Sequence, residues 1–221
     1  MPLFDNLANQ AARGLGNAAT NAANNAARNT AHNVTQAAAG SLRNLQNKRE
    51  TFTFQSLPQT VAELQALPQA SLASPYGTAA LAIAALCAYE QDPQAVADML
   101  NFLRGPRPLT PYDLQFLRDR LRGKCYKTFS FFEGATPQNN YTPSRPYRVT
   151  VSDNPYSWVS EDSSQSSGGP VQYARLLLQS SGADSPRFIT MRLKPSTGQW
   201  FLWDHQLLAD IRIPAAADAW A

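Results

Sequence analysis

The chain is poor in the residues that usually announce chemistry. Among 221 residues there are two histidines and two cysteines. No pair of them has metal-ligand spacing, so neither a metal nor a cofactor is expected. There is no phosphate-cradling glycine loop, no H-E-x-x-H and no nucleophile elbow, which removes the motif-bearing nucleotide-binding, zinc-protease and esterase readings. A net charge of +3 is too small to argue for nucleic acid. The longest apolar run, Ala79 to Ala88, falls well short of a spanning helix. The opening MPLFDNLANQ has no basic stretch followed by an apolar one, so no signal peptide is expected. Cys87 sits in the apolar run ALCAY as a small hydrophobe, and nothing demands an oxidising compartment. These absences lead to the expectation of a cytoplasmic protein that is not an enzyme.

What is present begins with a repeat. Residues 6–20, 21–35 and 36–50 align without gaps as NLANQAARGLGNAAT, NAANNAARNTAHNVT and QAAAGSLRNLQNKRE. Arginine holds the eighth place each time, as Arg13, Arg28 and Arg43. Fifteen residues in four turns advance about 96° per residue, slightly looser than an ideal helix. On that wheel Leu7, Ala11, Leu15, Ala26, Val34, Leu42 and Leu45 share one half with other alanines, while the asparagines and the three repeat arginines fill the other. Composition alone suggests disorder; the register instead predicts an amphipathic helix over residues 1–50. Asparagine and glycine are poor helix formers, so that helix needs its apolar face buried. The occupant of that face is a second copy or a partner helix, an anionic membrane surface, or the rest of the chain. The small alanines favour helix–helix assembly over insertion into lipid. All of the excess positive charge lies here too: residues 51–221 carry 14 basic and 14 acidic side chains.

From Thr51 onward the pattern is that of an α+β domain, residues 51–221. A short strand is expected at Thr51–Gln55 and helices between residues 58 and 122. One of these, Tyr76 to Tyr89 behind Ser74-Pro75, is apolar nearly all round and should form the centre of the core. Pro93 to Leu103 follows, then a helix opening at Thr110-Pro111 with Leu114, Leu117 and Leu121 inward. Residues 123–145 lack periodicity and read as a long ordered loop with aromatics. An antiparallel meander is expected over residues 146–203, with strands at YRVTVS, VQYARLLLQ, RFITMRL and QWFLW, and a tail over 204–221. QWFLW is apolar on both faces: Trp200 and Leu202 point one way, Phe201 and Trp203 the other. One face covers the helices, and the other needs the aromatic loop, the tail or a partner over it, with residues 123–158 the expected source.

Several long stretches of this domain resemble an uncharacterised bacterial domain family found chiefly in Gram-positive anaerobes. They include LPQTVAELQALPQASL, TAALAIAALCAY, MLNFLRGPRPLTPYDLQFLRDR and FEGATPQNNYTPSRPYRVTVSDNPYS, with SGADSPRFITMRLKPSTGQWFLW and LLADIRIPAAADAWA further on. The resemblance spans Thr51 to Ala221. The family has no assigned function, so it brings no site residues with it. The repeat lies outside it, which suggests a domain carried on varied N-terminal pieces, as an adaptor would be.

Three readings of function remain. The first is a non-enzymatic assembly or adaptor protein. Its repeat helix mediates self-association through the residues named above, and its domain offers a protein-binding surface including Tyr141, Tyr156 and Trp158, residue types enriched at interfaces. The second is peripheral membrane binding through the same helix. The third is a small hydrolase-like enzyme, with Glu133 and Asp153 as an acid and base or with a Cys125–His205 pair.

Overall fold

A computed structural model of the chain describes residues 48–161 and 171–219. The repeat helix expected over residues 1–50 therefore lies outside the described residues except for its last three. With it lie Leu7, Ala11, Arg13, Leu15, Ala26, Arg28, Val34, Leu42, Arg43 and Leu45. The described residues belong to one compact unit, Gln46–Ala221.

That unit is α+β. It runs β1 (Arg49–Phe54), α1 (Val61–Gln65), α2 (Pro75–Leu86), α3 (Pro93–Arg104), α4 (Pro111–Leu121) and α5 (Tyr126–Phe129). Then come β2 (Tyr147–Ser152), β3 (Trp158–Glu161), β4 (Val171–Leu178), β5 (Arg187–Lys194) and β6 (Gln199–His205). All strand pairs are antiparallel, in the order β1-β2-β4-β5-β6, with β3 also on β4. The strand expected from Thr51 starts at Arg49, because Arg49 and Glu50 are already in register with Ser152 and Val151.

Helices α2, α3 and α4 form where proline sets the first turn and a polar residue precedes it. Asp92 accepts the amides of Gln94 and Ala95 at the head of α3. Thr110 and Asp113 cap α4 reciprocally, each side chain taking the other's backbone N–H. Helix α2 is buried along all twelve of its residues. Its six alanine and glycine positions let the sheet approach on one side and α3 and α5 on the other. In α4 the inward stripe is Asp113, Phe116, Leu117, Arg120 and Leu121, the i, i+3, i+4, i+7, i+8 set. Leu114 falls off that stripe and is 40% exposed, which corrects its expected inward position.

Strands β2 and β3 are two collinear pieces of one line along β4. Val151 and Ser152 pair with Leu178 and Leu177, and Trp158 to Glu161 pair with Ala174 to Val171. Residues 153–157 loop out between them, and the amide of Arg175 closes the gap on the Ser157 carbonyl at 2.7 Å. The register shift at Thr190/Met191 is a bulge that spends one extra residue of β6. It leaves Phe201, Trp203 and Asp204 on the side away from α2 and turns His205 back towards the core, opposite Ile189. Residues 123–145 are ordered: Phe131, Phe132 and Ala135 are buried, and Phe132 bridges to Val149.

Candidate functional site

The residues singled out by composition are spread through the fold. Tyr141 is buried, with its hydroxyl donating to the Arg212 carbonyl at 2.6 Å and its ring stacked on Tyr126. It has no surface to offer a partner, and the expected recognition role is corrected to a packing one. Tyr156 stands at the tip of the 153–157 loop, 85% exposed. Trp158, two residues on, is half-buried on the core side of β3, edge-on to Trp200 at 5.9 Å.

Asp153 is a buried structural node. Its Oδ2 accepts from the Tyr76 hydroxyl at 2.8 Å and from the Trp158 indole at 3.0 Å, so it ties the head of α2 to the start of β3. Its Oδ1 has no donor among the described residues. Glu133 is exposed and ion-paired with Arg148 at 3.4 Å. The two carboxylates thus have separate partners and surroundings.

Cys125 and His205 are also apart in chemistry. The Cys125 thiol donates to the Leu121 carbonyl, and burial pushes it up to about 12, as it does Cys87. Neither thiol is ionised near neutrality, which leaves neither poised as a nucleophile. His205 packs beside Phe116 with its Nδ1 sealed from solvent and without a partner among the described residues, although the residue as a whole is only half-buried. Burial pushes its pKa down to about 4, against the opposing pull of Asp204.

The outer face of the sheet, away from α2, gathers what the sequence scatters. On it Tyr173 and Arg175 of β4 stand opposite Arg192 and Thr190 of β5, and Arg192 stands opposite Phe201 of β6. The arginines lie on rings. Arg175 is 3.9 Å from the Phe188 centroid, Arg192 is 4.5 Å from that of Trp203, and Arg107 is 4.4 Å from the same Trp203. Tyr173 meets Trp203 edge-on at 5.8 Å. Among the described residues neither Arg175 nor Arg192 has a carboxylate partner.

Arg107 reaches this face because α3 ends in a turn that no side chain tolerates. Gly105 has φ +59°, and a Cβ there would collide with the Phe201 ring. The turn lays Pro106 and Arg107 over the edge of β6, where Arg107 donates to the Trp203 carbonyl at 3.4 Å. The buried Arg104 holds the Arg107 carbonyl through its Nε at 3.0 Å and faces Asp113 at 3.6 Å. The cover of Phe201 and Trp203 is therefore this loop and not residues 123–158.

Between loop and strands lies a pocket of about 230 Å³, floored by Phe201 and Trp203 and rimmed by Pro106, Arg107, Arg192 and Lys194. Its one signal in the sequence is the two-faced apolar strand QWFLW; the arginines come from distant segments, joined only by strand pairing and the turn after α3.

A larger and more open groove, about 680 Å³, runs between the start of α3 and α4, with Asp92, Gln94, Leu114 and Arg118 along it. Among the described residues no cluster of three histidine, cysteine or acidic side chains could hold a metal, and no helix is long and apolar enough to cross a membrane.

No curated protein and no solved structure matches the chain. A family model does, over residues 56–215, inside the stretch that carries the resemblance. The chain belongs to the DUF6935 family, a domain of unknown function.

Proposed function

We propose that the protein is a non-enzymatic assembly and adaptor protein. The repeat up to residue 47, where β1 has not yet begun, associates as helices with copies of itself, and the outer face of the sheet receives a protein partner. The observation that carries the second half is the pair Arg107 and Arg192 held on one tryptophan ring beside a small apolar pocket. Such a cation rests on a ring while N–H groups not already bonded, as one of Arg107 is to the Trp203 carbonyl, stay available, an arrangement suited to recognition. The first half rests on the 15-residue register of the repeat. The hydrolase-like alternative draws no support from Glu133 and Asp153, which serve an ion pair at the surface and a buried tie.

Light scattering after size exclusion tests the assembly half. The full chain is expected to be oligomeric and residues 46–221 monomeric; a monomer in both overturns it. Co-sedimentation with anionic liposomes addresses the membrane alternative, for which pelleting at low salt is the supporting result. A repeat whose apolar face is buried between helices should not pellet.

A further inference from the structure

We infer that the pocket on the outer face takes an acidic peptide segment carrying one apolar side chain. This rests on the protein-binding reading and names the chemistry of the partner. Size comes first. Small-molecule sites run from about 300 to 1,000 Å³, and this pocket, at about 230 Å³, fits a single leucine-sized side chain. The floor of Phe201 and the flank of Pro106 and Pro195 give that side chain apolar contact.

Charge comes second. Strands β4 to β6 put Arg175, Arg192 and Lys194 on this face against Asp204, β3 adds one further exposed carboxylate, Glu161, opposite Val171, and the loop after α3 adds Arg107, so four cations face two carboxylates. A guanidinium resting over a ring keeps its donors in its own plane; Arg107 spends one on the Trp203 carbonyl, and the others remain for a ligand. Those forks match carboxylates two donors at a time. Arg175 and Arg192 are diagonal neighbours on adjacent strands, so successive acidic residues of an extended peptide meet successive cations.

Other occupants fit less well. Bases of a single-stranded nucleic acid need open ring faces, and here guanidinium groups lie over Phe188 and Trp203. The chain's own N-terminal segment carries Arg13, Arg28 and Arg43 against Asp5, the same sign as the face.

The test is fluorescence anisotropy of a labelled Glu-Glu-Leu-Glu-Glu peptide with the full chain. Saturable binding is expected, weakened about tenfold or more by Arg192→Glu, by Arg107→Glu, and by exchange of the peptide's leucine for serine. Arg122→Glu, just past the end of α4, should leave it unchanged. Arg107 lies in a loop, so its variant carries the test if Arg192→Glu fails to fold. The inference is overturned by no saturation at about 1 mM peptide. Equal binding of the serine peptide, equal loss with Arg122→Glu, or tighter binding of an oligothymidylate of equal charge overturns it too. Failure of the peptide alongside intact self-association would sink this inference and leave the assembly reading standing.

Discussion

The two faces of the sheet are built from different materials. Towards α2, Ala174, Leu176 and Leu178 of β4 and Ile189 and Met191 of β5 are closed off against alanines. On the other side, the residues that alternate with them, Tyr173, Arg175, Phe188 and Arg192, form a lattice of rings and guanidinium groups that water still reaches. The contrast separates two jobs. Burial of a leucine side chain contributes about 1.5–3 kcal/mol, whereas an exposed cation–π contact contributes about 0.5–1 kcal/mol. Stability resides on the inner face, and the outer face is left free to exchange its contacts for those of a partner.

The sharpest way to break that division is on the inner face. Leu176→Ala should cost about 2–5 kcal/mol, because α2 already presents alanines there and cannot move in to fill the void. Chemical denaturation measures it, and a loss below about 1 kcal/mol would mean that the inner face is not the source of stability.

Gly105→Ala tests the hinge between the faces. It forces a side chain onto a residue with φ +59° and into the Phe201 ring, so a loss of about 2–4 kcal/mol is expected. Because Arg107 follows two residues later, tryptophan emission from Trp203 should change as well. A stable protein with unaltered emission would separate the loop from the pocket.

Acid should erode the core side first, through His205. Its folded pKa, about 4, lies below the unfolded value of about 6.5. Between those two values the unfolded chain binds a proton that the folded chain does not, so stability falls as pH drops from about 6.5 towards 4. The loss reaches at most about 3 to 4 kcal/mol, at about 1.4 kcal/mol per pH unit. His205→Phe should flatten that part of the pH–stability curve. A curve as steep as the wild type's would remove the histidine from the account.

How much of this is legible in the chain depends on range. The helices α2, α3 and α4 can be read because each has its own local signals: proline at the first position, a polar residue before it and apolar spacing within. Strands β2, β4, β5 and β6 show as β-branched and aromatic runs between turn residues. Strand β3 does not show, since its four residues are held by a partner strand reached only after a further loop. Leu114 misleads because it is apolar yet lies off the helical stripe that Asp113 and Phe116 define. The bulge that turns His205 inward lies in a pairing of two strands and has no residue signature of its own. The candidate pocket is hidden for the same reason: Arg107 stands far along the chain from Arg192 and Trp203, and a hairpin separates those two. The double-sided strand QWFLW does mark where to look, as it requires something over Phe201 and Trp203.

The smallest effect belongs to the residue next to the one with the largest. Arg175 and Leu176 are neighbours on β4, one on each face, and differ in what they touch. Arg175 is exposed, lies over the Phe188 ring and has no ion pair among the described residues. Arg175→Ala removes one exposed cation–π contact and the stem that covers the ring, so denaturation should register a loss below about 1 kcal/mol. A loss as large as that of Leu176→Ala would make the outer lattice a second core. A small one, together with weaker capture of an acidic peptide, would mean that the arginine serves recognition and that adjacent residues of one strand divide stability from binding by the direction in which they point.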